Sequence, residues 1–126
     1  MSILAIDFGL KRLGLAVSEG LLAEPLKVLP HNRHAFENLK KICQELKIEK
    51  IILGLPEGKL RVKVLAFAKK CEMELGVKVD FENEIMTTKE AEKLLIAGQT
   101  FRARRKKIID AAAAAVILQQ YLDRTQ

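Results

Sequence analysis

The chain of 126 residues has no tryptophan and one tyrosine, and aromatic residues make up only 5% of it. Stacking of bases on a platform of rings is therefore a weaker expectation. Cysteine is nearly as scarce: Cys43 and Cys71 are the whole complement, and both fall on the apolar faces of helices predicted below. They are expected as buried free thiols, not as a disulfide or a metal pair. His31 and His34 have no matching cysteine or histidine elsewhere, so no zinc site is expected. No apolar run reaches membrane-spanning length. The first residues meet Asp7 without a basic lead or a cleavage site, so no secretory signal is expected. Repeats, linkers and low-complexity segments are also missing, which at this length predicts one domain over residues 1–126. A cytoplasmic protein with no membrane partner is the expectation.

What remains is apolar and basic. Residues of hydrophobic type make up 49% of the chain, enough for a packed core and too many for disorder. The 22 basic residues outnumber 16 acidic ones, for a net charge of +6. That balance favours an acidic partner, nucleic acid above all.

The chain is organised around its opening. Ile3 to Phe8 is almost wholly apolar, the pattern of a strand buried on both faces, with the single carboxylate of Asp7 near its end. Gly9 begins a turn that carries Lys11 and Arg12, and a second strand runs from about Arg12 to Ser18, where Gly14 and Ala16 suggest close packing on one side. A weaker strand over 26–29, with Pro25 and Pro30 limiting it, reads as an edge. The period then changes. Ala35, Phe36, Leu39, Ile42, Cys43 and Leu46 mark an amphipathic helix, and 50–55 a short strand ended by Pro56. Val64, Leu65, Ala68, Cys71, Glu72 and Leu75 mark a second helix, which Gly76 closes with a left-handed cap. Val77, Val79 and Phe81 alternate with polar residues as another edge strand. Thr87 to Glu90 reads as a capping box for a helix that stops near Gly98. A basic loop follows, and a last helix is predicted over 108–122, with Asp110 near its start and the alanines 111–115 inside it. The fold expected is α/β: a five-stranded mixed sheet, three antiparallel strands followed by parallel ones, with helices on both faces.

Three acids share similar addresses: Asp7 at a strand end, Glu84 just after the last strand, and Asp110 beside the basic loop. Carboxylates gathered at one sheet edge suit a hard divalent cation such as magnesium, and two such ions activate a water and stabilise the leaving oxygen of a phosphodiester. Each acid also has a plain structural reading. Asp7 fits a surface turn pairing with a cation, Glu84 a solvated turn, and Asp110 a favourable charge near a helix start. Glu57, at the end of the fourth strand, ranks below Glu84 as a candidate. Arg102, Arg104, Arg105, Lys106 and Lys107 form a dense basic cluster immediately before Asp110, suited to a phosphate backbone and to salt-dependent, sequence-independent binding. Lys11 and Arg12 fit backbone contacts or a structural ion pair about equally well.

Four blocks, in order and spread along the chain, resemble one family. They are Asp7-Phe8-Gly9 with Arg12, Gly14, Ala16 and Ser18; Ile52-Leu53-Gly54-Leu55-Pro56; Glu84 with Thr87, Thr88, Glu90 and Ala91; and Lys107-Ile108-Ile109-Asp110 with Ala112, Ala113, Ile117, Leu118, Tyr121 and Leu122. Together they resemble the YqgF family of pre-16S rRNA nucleases, also described as Holliday-junction-resolvase-like, with an RNase H-like fold. The resemblance implies a Mg2+- or Mn2+-dependent endonuclease acting on structured RNA, with Asp7, Glu84 and Asp110 as the acidic triad. It also implies maturation of the 5′ end of small-subunit ribosomal RNA. The chain departs from the family pattern in two places. Asn83-Glu84-Ile85 stands where Asp-Glu-Arg is usual, and the loop from Glu57 to Leu60 is short. Cleavage of branched DNA and a non-catalytic RNA-binding module are the alternatives to this reading.

Overall fold

The computed structural model describes residues 2–83 and 102–125, with the side chains of the final helix described from Asp110 onward. Three strands come first: β1 (Ser2–Phe8), β2 (Arg12–Ser18) and β3 (Glu24–Pro30). Helix α1 (Ala35–Glu45), strand β4 (Ile48–Leu55), helix α2 (Lys59–Leu75) and strand β5 (Lys78–Asn83) follow, and α3 (Arg102–Thr125) is the final helix. The sheet order is β3-β2-β1-β4-β5. β1 pairs antiparallel with β2, and β2 with β3. β1 and β4 are parallel, as are β4 and β5. This is the mixed five-stranded sheet expected from the change of period after residue 30, with β3 and β5 as its edges.

Alternation along the inner strands divides the interior into two layers. Leu4, Ile6 and Phe8 of β1, with Leu13, Leu15, Ile51 and Leu53, pack with the buried sides of α1 and α2. Ala5, Ala16 and Ile52 face the other way, against Ala114, Ile117, Leu118, Tyr121 and Leu122 of α3. The second layer is built from small residues on both sides. Ala111 to Ala114 are all buried, so the alanine run that favours helix on propensity also lets α3 lie close on the sheet. The closest approach is at Gly14, where a Cβ would collide with the backbone carbonyl of Asp110. Gly14 and Ala16 are thus the small residues that α3 requires.

Several boundaries differ from the sequence expectation. β3 takes in both prolines, which an edge strand tolerates because one side of it needs no ladder partner. β4 begins at Ile48, two residues earlier than expected. α2 starts at Lys59 and buries Phe67, while Leu65 is exposed; the phase of the helix is set by Val64, Phe67, Ala68 and Cys71. Gly76 closes it with φ of 65°, as expected. The largest correction concerns the basic loop, which is helical: α3 begins at Arg102, so Asp110 lies two turns inside the helix and not near its start. No glycine or proline interrupts this stretch, and alanine, arginine and lysine are strong helix formers. Repulsion among like charges is only a few tenths of a kcal/mol per pair, roughly, which does not offset that preference. The capping box at Thr87–Glu90 and the helix predicted after it lie outside the described residues.

Cys43 and Cys71 are both buried free thiols. Burial pushes the Cys43 thiol up, and the Cys71 thiol is pushed up to about 12 by burial first, then by the negative charges of Cys43, Glu72 and Glu74. Since the thiolate is the reactive form, neither cysteine of the native protein is expected to label with a thiol reagent at pH 8 during the time in which the denatured chain labels fully. A colorimetric thiol titration with and without denaturant checks this. Among the described residues no helix is long and apolar enough to cross a membrane.

Candidate active-site cleft

Asp7 is half-buried near the end of β1, and its place follows from the pairing of the strands around it. On one side it faces Gly14 of β2 in register. On the other, Ile6 faces Leu53 of β4, so Gly54 is the β4 residue at the level of Asp7. Neither flanking residue has a side chain, and Asp7 stands on the α3 face of the sheet, where it lines a cleft. Gly54 reads in the sequence as part of a plain strand-end turn; its position beside Asp7 depends on the parallel β1–β4 register.

The same Gly14 brings Asp110 to the site. Because it has no Cβ, the backbone of α3 sits directly over it, and Asp110 joins Asp7 in lining a cleft of about 330 Å3 with Gly9, Leu10, Lys11 and Arg12. Arg12 Nε donates to Asp110 Oδ2 at 3.1 Å, with the two side chains 35% and 28% exposed. The bond ties the hairpin to α3 across the length of the chain. Half-exposed pairs of this kind contribute at most about 1 kcal/mol, so its main effect is orientation: it fixes Arg12 at the mouth of the cleft and uses only Nε, leaving both Nη groups outside the bond.

A residue not recognised from sequence holds the hairpin. His31, just after β3, donates from Nδ1 to the Gly9 carbonyl at 2.6 Å, and its backbone N–H donates to the Lys11 carbonyl at 2.9 Å. Its ring packs edge-on against Phe8 at 5.1 Å and Phe67 at 5.6 Å between centroids. His31 is thus a clamp on the turn that carries Lys11. His31→Ala is expected to destabilise the fold by about 1–2 kcal/mol through the lost side-chain hydrogen bond and ring contacts. Urea denaturation checks the value.

The other sequence candidates fall as follows. Glu84 is outside the described residues; β5 ends just before it at Asn83, which pairs with Leu55. Glu57 is exposed in the turn after β4 and does not line the cleft. Arg102, Arg104, Arg105, Lys106 and Lys107 occupy the first two turns of α3, running into the cleft at Asp110. Glu82, which attracted no notice in the sequence, faces Gly54 in register, but Arg124 holds it with Nη2 at 2.8 Å and Nε at 2.9 Å. Among the described residues no three acidic, histidine or cysteine side chains cluster as a metal cage. Two carboxylates in an open cleft nevertheless suit magnesium, which keeps several waters and is commonly held by one or two carboxylates together with substrate phosphates.

The chain matches known proteins over nearly its whole length. The family model described as "RuvX: Holliday junction resolvase" matches residues 1–124. A protein of Clostridium botulinum (strain Eklund 17B / Type B), named "Putative pre-16S rRNA nuclease", is 37% identical over 134 aligned positions, covering 98% of each chain. One of the same name from Lactococcus lactis is 39% identical, covering 96% of this chain and 93% of its own. Among solved structures, Thermus thermophilus RuvC in complex with Holliday junction substrate superposes with a TM-score of 0.62 at 19% identity, covering 99% of this chain and 96% of that one. The Fowlpox virus resolvase with its junction DNA gives 0.65 at 14% identity, covering 98% of both chains. At such identities the structural likeness establishes the RNase H-like fold and nothing finer.

Proposed function

This chain belongs to the RuvX family, and from that membership we propose that it is a metal-dependent endonuclease of structured RNA that processes the 5′ end of pre-16S ribosomal RNA. The observation that supports the reading most is the shared cleft: Asp7 and Asp110, from opposite ends of the chain, line it together with Lys11 and Arg12. Asp7, Asp110 and Glu84 would hold Mg2+ or Mn2+ as oxygen donors, and a bound ion would supply an activated water and a counter-charge for the leaving oxygen. The cations act on the substrate itself. Arg12, held at Nε by Asp110, offers its remaining donors to a phosphate in the two-pronged geometry that suits this group. Lys11, on the clamped turn, adds a point charge. The basic turns of α3 extend the grip along the backbone. Cations at a helix N-terminus oppose the macrodipole, an unfavourable placement that a polyanion bound there relieves. The reading carries a cytoplasmic location with it.

The test is cleavage of an end-labelled pre-16S fragment by the purified protein with Mg2+, with Mn2+ or with chelator, beside a four-way DNA junction of equal concentration. Metal-dependent cutting of the RNA is expected. Cutting of the junction alone would move the substrate to branched DNA, and salt-sensitive RNA binding without cutting would leave a binding module.

A further inference from the structure

The tip of the β1–β2 hairpin carries a side chain that the charge chemistry of the cleft leaves unused. Leu10 stands between Gly9 and Lys11 and is 61% exposed. Tight turns favour glycine, asparagine, aspartate and serine, so leucine gains nothing there from local backbone chemistry. Among the described residues it is the one apolar side chain in the lining of the cleft, beside Asp7, Lys11, Arg12 and Asp110. Its support is rigid. His31 binds the carbonyls on either side of Leu10, that of Gly9 through its ring and that of Lys11 through its backbone N–H. A Cβ at Gly9 would collide with the Arg12 carbonyl, so the turn is tightly closed, and Arg12 is itself tied to Asp110. The turn therefore has little slack with which to swing Leu10 away from the cleft.

We infer that Leu10 is a specificity residue: it wedges between the last base pair of a helix and the first unpaired base, so that the chain selects RNA at a paired–unpaired boundary. The inference rests on the nuclease reading and names the substrate feature that the cleft selects. Phosphate and ribose are polar, and only the base offers a broad apolar face to a leucine. Inside a continuous duplex that face is covered by neighbouring pairs, and a wedge has to open two paired strands. At a boundary it displaces the stacking of one unpaired base and breaks no pair. Leucine is among the side chains that act as such wedges, and it needs no aromatic platform. Lys11 and Arg12 follow it directly, so the phosphates flanking the displaced base meet cations on the same turn. Leu21 and Leu22 are equally exposed, but they line a separate hollow with Glu19 and Glu24, which repel phosphate.

The test compares two RNAs with equal numbers of phosphates, so that backbone attraction is matched. One is a blunt duplex. The other is a hairpin with a single-stranded extension, carrying 2-aminopurine at the first unpaired position. Binding is measured with chelator present, so that the RNA stays whole. The wild-type chain is expected to prefer the hairpin about fivefold or more, the scale of covering one leucine, and to raise the 2-aminopurine fluorescence as the base leaves its stack. Leu10→Ala and Leu10→Ser are expected to bring the two affinities level and to abolish the rise. Leu10→Met, apolar and similar in volume, is expected to keep both. A thermal melt verifies that these exposed substitutions leave the fold intact. A wild-type chain without the preference overturns the inference, as does an alanine variant that keeps the preference and the fluorescence rise. Adding Mg2+ or Mn2+ afterwards separates the two readings. A Leu10-dependent preference without cleavage upholds the wedge and removes the nuclease; cleavage without that preference upholds the nuclease and overturns the wedge.

Discussion

Asp7→Asn is expected to lower cleavage by about 10³-fold or more, the scale of loss seen when one charged member of a catalytic set is removed. Asparagine matches aspartate in size and keeps one oxygen, so the change withdraws charge without emptying space. A hard divalent ion depends on that charge, and the glycines beside Asp7 leave no neighbouring side chain on β2 or β4 at that level to replace it. The measurement is single-turnover cleavage of the labelled RNA against Mn2+ concentration, with RNA binding followed in parallel by filter retention. Binding is expected to persist, because the cations of the cleft and of α3 are untouched. A thermal melt separates loss of the site from loss of the fold. Cleavage by the variant within tenfold of wild type would remove Asp7 from the mechanism.

The second large effect is expected at Gly14. An added methyl group there meets the Asp110 carbonyl and the backbone around it. A backbone has no rotamer to change, so α3 has to lift. Overpacking of this kind costs roughly 1–3 kcal/mol, and Gly14→Ala is expected near the top of that range. With urea slopes of about 1–3 kcal/mol per molar for small proteins, the midpoint should fall by about 1 M or more. Cleavage should fall further than stability explains, because lifting α3 carries Asp110 away from Asp7. Gly20→Ala is the control: a Cβ there meets nothing within 4 Å, and the variant should stay within about 0.5 kcal/mol of wild type. A stable, active Gly14→Ala protein would contradict the packing described.

These two residues also mark how far the sequence was legible. The strands showed because buried β1 is almost wholly apolar and β5 alternates, and the helices showed where apolar residues recur at three and four. The acid at the end of β1 stood out as the only charge in that run. Gly14 and Ala16 announced a close neighbour, but not which one. That the neighbour is the alanine run of α3, and that its backbone sits on Gly14 at Asp110, follows from tertiary packing alone. Charge density in the basic stretch before Asp110 suggests a solvated loop, whereas backbone preference continues the helix to Arg102. The spacing of the histidines in the sequence says nothing of the role His31 plays in the turn. Its clamp on Gly9 was invisible because it depends on β3 returning beside the turn. Glu82 is one of several polar residues on an edge strand, and its tie to Arg124 joins elements that no local pattern connects.

The contact between Gly14 and Asp110 has a kinetic consequence. It joins residues separated by most of the chain, and such contacts form late because a long loop must close before they are rewarded. The layer holding α1 and α2 against the sheet does not depend on it. Undocking of α3 is therefore a partial opening that leaves much of the apolar core in place, and partial openings occur at lower free energy than global unfolding. The cleft exists only while α3 is docked, so catalytic competence should disappear at a lower denaturant concentration than the bulk of the helical signal.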